Sequence, residues 1–67
     1  MITVSINGAE MQLIPPVNVA TLIDILGLTG KRIALERNGD IIPRSTFNSQ
    51  QLADGDKLEV VVAVGGG

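Results

Sequence analysis

Two Asn-Gly dipeptides, Asn7-Gly8 and Asn38-Gly39, each sit between stretches in which apolar and polar residues alternate. That arrangement restricts the fold more than any other feature of the chain. Asn and Gly readily take positive φ, and a two-residue turn of that kind joins neighbouring antiparallel strands. Before the first turn, Ile2, Val4 and Ile6 alternate with Thr3 and Ser5, the period of a half-buried strand. After it, Glu10 to Ile14 reads as the partner strand, with Met11 and Leu13 turned inward. Pro15-Pro16 ends this strand, because proline cannot donate to a ladder. Around the second turn, Arg32 to Arg37 alternates with Ile33 and Leu35 inward and Glu36 outward. Asp40-Ile41-Ile42 then makes a short strand that Pro43 stops.

Between the hairpins lies one helical stripe. Val19, Leu22, Ile23 and Leu26 fall at i, i+3, i+4 and i+7, with Asn18 as N-cap and Gly27 at the left-handed C′ position. About two to three turns of helix would not persist alone in water, so this segment needs a sheet to pack against. Ser45 is expected to cap a brief turn or 3₁₀ segment through Gln51 that buries Phe47 or Leu52. Asp54-Gly55-Asp56 reads as a turn, and the last strand as Lys57 to about Val64. If Leu58, Val60 and Val62 face the helix, Val61 and Ala63 lie on the opposite face.

The element order predicts an α+β domain: a mixed sheet of four to five strands on one helix. A hairpin, a single crossing helix and a returning C-terminal strand suit a β-grasp, with first and last strands parallel at the centre. A ferredoxin-like fold needs a second full helix, and Ser45 to Leu52 is a poor candidate for one. The expected division is a domain over residues 1–64 and a flexible glycine tail over 65–67.

The side chains are poorly suited to catalysis. With neither Cys nor His, there is no thiolate, no imidazole base and no common zinc ligand set, and the seven acids are scattered singly. Asp54 and Asp56 resemble a carboxylate pair, but flanking a glycine they read as turn residues. The basic residues Lys31, Arg32, Arg37, Arg44 and Lys57 form no run beyond two, the net charge is −2, and Phe47 is the sole aromatic. Nucleic-acid binding is therefore not expected. No apolar stretch approaches the roughly 20 residues that cross a bilayer, and the first residues lack a basic, signal-type start. The expectation is a cytoplasmic protein with no membrane partner.

What remains is the end, Gly65-Gly66-Gly67, directly after an apolar run. By itself such an end is also what a frayed terminus or a cloning remnant looks like. Residues without Cβ can, however, thread a cleft that side chains would block. Val61, Ala63 and Val64 beside it form a candidate docking surface for a larger protein, with scattered surface aliphatics as the plainer reading.

Three segments together carry a resemblance. Ala34-Leu35-Glu36-Arg37-Asn38-Gly39-Asp40-Ile41-Ile42-Pro43-Arg44, then Asp54-Gly55-Asp56, then Val62-Ala63-Val64-Gly65-Gly66-Gly67 resemble the ThiS sulfur carriers of thiamin biosynthesis. One departure is Phe47, where that family often has Trp; both fill an apolar slot. The resemblance implies a ubiquitin-like β-grasp that is not itself an enzyme and binds no cofactor. It implies that the Gly67 carboxylate is adenylated by an E1-like, ThiF-type partner using ATP and Mg, then converted to a thiocarboxylate. The implied sulfur source is a cysteine desulfurase or its persulfide, and the implied acceptor is the thiazole synthase ThiG. Gly65 and Gly66 would be the thread into the partner cleft. A molybdopterin-synthase small subunit, a plain interaction module and a ubiquitin-like modifier joined through Gly67 are the alternatives at this point.

Overall fold

The two alternating hairpins and the single stripe become five strands and one helix. The computed structural model describes residues 1–63. Its elements are β1 (Ile2–Ile6), β2 (Ala9–Leu13), α1 (Val19–Ile25), β3 (Ile33–Arg37), β4 (Asp40–Ile41) and β5 (Lys57–Val62), with a 3₁₀ turn at Arg44–Thr46. The strands form one sheet in the order β2-β1-β5-β3-β4. β1 pairs in parallel with β5, and the other pairs are antiparallel. This is the expected β-grasp, with five strands.

Both Asn-Gly turns adopt the left-handed conformations that a two-residue hairpin requires. Asn7 and Gly8 have φ of 51° and 87°, and Asn38 and Gly39 have φ of 53° and 91°. The inward residues then form one core: Val4, Leu13, Val17, Val19, Leu22, Ile23, Leu35, Phe47, Leu52, Leu58 and Val60. Leu22, Leu58 and Val19 are wholly buried. The helix is fixed at both ends by hydrogen bonds to its own termini. The Asn18 carboxamide oxygen accepts from the Thr21 N–H at 2.8 Å. At the other end, the Gly27 N–H donates to Asp24 and the Leu28 N–H to Ile23, which is a Schellman motif.

Several expectations shift; β3 begins at Ile33 rather than Arg32, and β4 ends at Ile41 rather than Ile42. Ser45 lies inside the 3₁₀ turn rather than capping it; Pro43 holds the cap position, and the Thr46 hydroxyl donates to the Pro43 carbonyl. Phe47, at the end of that turn, and Leu52, beyond it, are both buried. β2 begins at Ala9 and ends before Ile14, which is 77% exposed. β5 ends at Val62 rather than near Val64. Residue 64 and the expected tail, 65–67, lie outside the described residues.

The parallel ladder at the centre of the sheet is short, covering Ser5 opposite Lys57 and Ile6 opposite Leu58. Side chains lengthen it at both ends. Ahead of it, the Asp54 carboxylate accepts the Thr3 N–H at 2.7 Å, while the Gly55 N–H donates to the Thr3 carbonyl. Beyond it, the Asn7 carboxamide bonds both main-chain groups of Val60, accepting from N–H at 2.8 Å and donating to the carbonyl at 3.0 Å. A primary amide carries the same donor and acceptor as a peptide unit, so Asn7 acts as one further rung. On the other side of β5 the Asn38 carboxamide takes one main-chain group, accepting the Lys57 N–H at 2.8 Å, and its NH₂ donates to the Asp56 carboxylate at 3.1 Å.

Candidate functional site

Beside the glycine end, β5 leaves the core. Along the strand, Leu58 and Val60 are buried, while Glu59 and Val61 point to the outer face. Val62 continues the inward alternation yet is 38% exposed, because the core has ended beneath it. The last described anchor is the Ala63 N–H, which donates to the Arg32 carbonyl at 2.8 Å.

Val61 is 65% exposed and Ala63 is exposed, so both are accessible as the docking-surface reading requires. Val64, Gly65, Gly66 and Gly67 lie outside the described residues. The fold adds residues that the local pattern did not single out. Ala34 sits directly opposite Val61, and Ile41, 66% exposed, sits opposite Glu36 in the next row. Glu36 in turn lies opposite Glu59. The outer face therefore carries a small apolar area of Val61, Ala34 and Ile41 around two facing carboxylates. Like charges directly opposite each other in a sheet are unfavourable, and exposure to water keeps that cost small. Only strand pairing brings these residues together, and periodicity within one strand cannot show it.

The described residues form no catalytic array. Asp54 and Asp56, the carboxylate pair visible in the sequence, serve different neighbours and do not work as a dyad. Asp54 takes the Thr3 N–H. Asp56 is 6% exposed and accepts from Arg37 at 2.8 Å, from Asn38 at 3.1 Å and from the Ala53 N–H at 2.8 Å. Burial acts to raise the Asp56 pKa, but the Ala53 N–H, the Asn38 amide and the Arg37 guanidinium outweigh it and hold the carboxyl below its usual range. Arg37 also donates to the Gln50 side chain at 3.2 Å, and the Gln50 carbonyl accepts the first helical N–H, that of Val19. This network ties the start of β5 to β3 and to the head of the helix. It is structural. A signal for it existed in the sequence, since strand alternation places Arg37 on the inward face, where an arginine needs a partner.

Among the described residues no three metal-ligating side chains come together, and no helix is long and apolar enough to cross a membrane. An open hollow of about 260 Å³ between α1 and the 3₁₀ turn is lined by Ala20, Ile23, Leu28, Ile33, Phe47 and Arg44, among others. The one hydroxyl on its walls, that of Thr29, donates to the exposed Asp24 carboxylate at 3.2 Å, a contact at the end of α1.

The sequence pattern of the ThiS family matches residues 4–67, nearly the whole chain and including its glycine end. The chain belongs to the ThiS family. The fold agrees with that membership. A crystal structure of the thiamine biosynthesis protein ThiS from Geobacter metallireducens superposes with a TM-score of 0.80 at 26% identity, covering 98% of this chain and 100% of that one. A solution structure of a thiamine biosynthesis protein from the same organism gives 0.77, also at 26% identity, covering 98% and 88%. Among similar sequences, a thiazole synthase from Paramagnetospirillum magneticum is 40% identical over 62 residues. Those residues are 92% of this ThiS-family chain but only 19% of that synthase. The uncharacterised protein ycf40 of Pyropia yezoensis is 38% identical over 66 residues, 98% of this chain and 93% of its own length.

Proposed function

We propose that this ThiS-family chain carries sulfur on its own main chain, as a thiocarboxylate at Gly67 that serves formation of a thiazole ring. The supporting observation is the family match, which runs through residue 67 on a fold whose described side chains offer no reactive centre. Sulfur held as C(=O)S⁻ needs no cysteine, and this chain has none.

A carboxylate is a poor electrophile until one oxygen becomes a good leaving group. In the proposed first step, a Gly67 carboxylate oxygen attacks the α-phosphorus of ATP on an E1-like partner, and pyrophosphate leaves. Mg²⁺ neutralises the phosphate charge during that step. A persulfide sulfur, supplied by a cysteine desulfurase, then attacks the acyl carbon and AMP departs. A thiol cleaves the resulting S–S bond, leaving the thiocarboxylate and a disulfide. Gly65 and Gly66 present no side chains, so the folded domain can stay outside while the acyl group enters a cleft closed to water. The role of the thiazole synthase as sulfur acceptor draws support from the Paramagnetospirillum protein. There, a segment similar to this chain is a minor part of a thiazole synthase polypeptide, so a carrier-like segment and a synthase share one molecule.

Intact-mass analysis after incubation with a cognate adenylating enzyme, ATP, Mg²⁺ and a persulfide donor tests the reading. Exchanging oxygen for sulfur has almost the mass effect of adding one oxygen, so oxidised Met1 or Met11 would imitate it. The shift is expected in the C-terminal fragment and is lost when Gly67 is deleted. Its absence from that fragment in the intact chain would refute the carrier role.

A further inference from the structure

The hydrogen-bond parity of β5 leaves one main-chain edge open next to the tail. The Lys57 and Ala63 positions bond to β3, through Asn38 N–H to the Lys57 carbonyl and Ala63 N–H to the Arg32 carbonyl. With Ala34 opposite Val61 and Glu36 opposite Glu59, the odd-numbered residues of β5 face β3. The even-numbered ones face β1. Leu58 accepts from the Asn7 N–H on that side, and Val60 is satisfied by the Asn7 side chain. There β1 turns away at Asn7-Gly8, and Val62 comes next with its N–H and carbonyl directed past the end of β1. No described residue hydrogen-bonds to them.

We propose that this edge is a strand-addition site, taken by an extended segment of the adenylating partner that continues the sheet beside Val62, in line with β1. The inference rests on the carrier reading above, and its reason is what a glycine tail offers an enzyme. Gly65, Gly66 and Gly67 have no side chains to grip, so recognition must use main-chain donors and acceptors. Five residues span at most about 18 Å, so a cleft holding the Gly67 carboxylate has its wall within that distance of Val62. The Val62 edge is the first open pair of main-chain groups on the folded side of that wall. Asn7 closes the edge one rung earlier, so the partner segment is admitted only at the end nearest the tail.

Amide exchange and binding with the cognate adenylating enzyme test this. In the free protein the Val62 N–H is expected to exchange freely while that of Val61, bonded toward β3, is protected. In the complex the Val62 N–H is expected to slow at least tenfold. Val62→Pro removes this donor from a position where the fold does not use it, and an edge position tolerates proline. It is expected to weaken binding about fivefold to tenfold, whereas Val62→Ala, which keeps the N–H, stays within about twofold of the original. If Val62→Pro fails to fold, an amide-to-ester replacement at Val62 removes the same donor without fixing φ, and its binding decides. Unchanged Val62 exchange in a complex that still yields a Gly67 thiocarboxylate would overturn the strand-addition site and leave the carrier role standing. Failure of the unmodified chain to form any thiocarboxylate would overturn both.

Discussion

The two ends of β5 are built on opposite principles. At its start, within three residues, Asp56 is buried with three hydrogen-bond donors around it, Lys57 is held on both main-chain groups by Asn38, and Leu58 has no exposure. At its finish, Val61 and Val62 are exposed and the inward alternation has no core left to fill. The same strand is thus anchored at one end and open to solvent at the other. Core packing holds the first half, and the second half needs only the ladder to β3. Under the proposed function the fold has to persist while a partner takes hold of the chain end, and this gradient along one strand suits that task.

Substitutions that attack the anchored end should cost most. Leu58→Ala removes a wholly buried side chain and is expected to destabilise by about 2–4 kcal/mol, close to the whole margin of so small a domain. Urea unfolding would show this as a population partly unfolded without denaturant. Asp56→Ala is expected to cost about 2–3 kcal/mol, since Arg37 is left half-buried without its carboxylate. At roughly 4–8 °C per kcal/mol, thermal melting reads that loss clearly. If Asp56→Ala proved neutral, the anchored end would depend on apolar packing alone.

The same carboxylate makes stability depend on pH. Its pKa is lower in the folded protein than in the unfolded chain, so its contribution is fully present above the unfolded value of about 4. That contribution is lost as pH falls through the lower, folded value. Melting temperatures should decline on acidification below about pH 4, and Asp56→Asn should flatten that part of the profile.

The middle of the strand sharpens the boundary. Asn7→Gly keeps the positive φ of the turn but removes the amide rung on Val60, and is expected to cost about 1 kcal/mol. The smallest effect belongs to the free end. Val61→Ser should leave stability within about 0.5 kcal/mol while weakening partner binding if the outer face is a docking surface. A large loss of stability from Val61→Ser would show that the two ends are less distinct than their burial suggests.

Much of this was legible along the chain, because each hairpin is a local event. Asn-Gly turns, alternation and a capped helical stripe are decided by neighbours within a few residues, and all appear within a residue or two of where the sequence places them. The site was legible in part. Val61 and Ala63 can be read from alternation, but Ala34, Ile41 and the Glu36–Glu59 pairing depend on which strands lie side by side. The second role of the asparagines was hidden for the same reason. Nothing in the Asn-Gly signal shows that the Asn7 and Asn38 side chains also bond main-chain groups of β5, more than fifteen residues away.

Residue types and short-range periodicity were enough to set the elements, the fold class and the absence of thiol and imidazole chemistry. The place where β5 stops being held is a property of the folded molecule alone. It depends on β1 turning away at Asn7 while β5 continues, and on the core ending beneath Val62. Both are consequences of packing distant segments together, which no local pattern encodes.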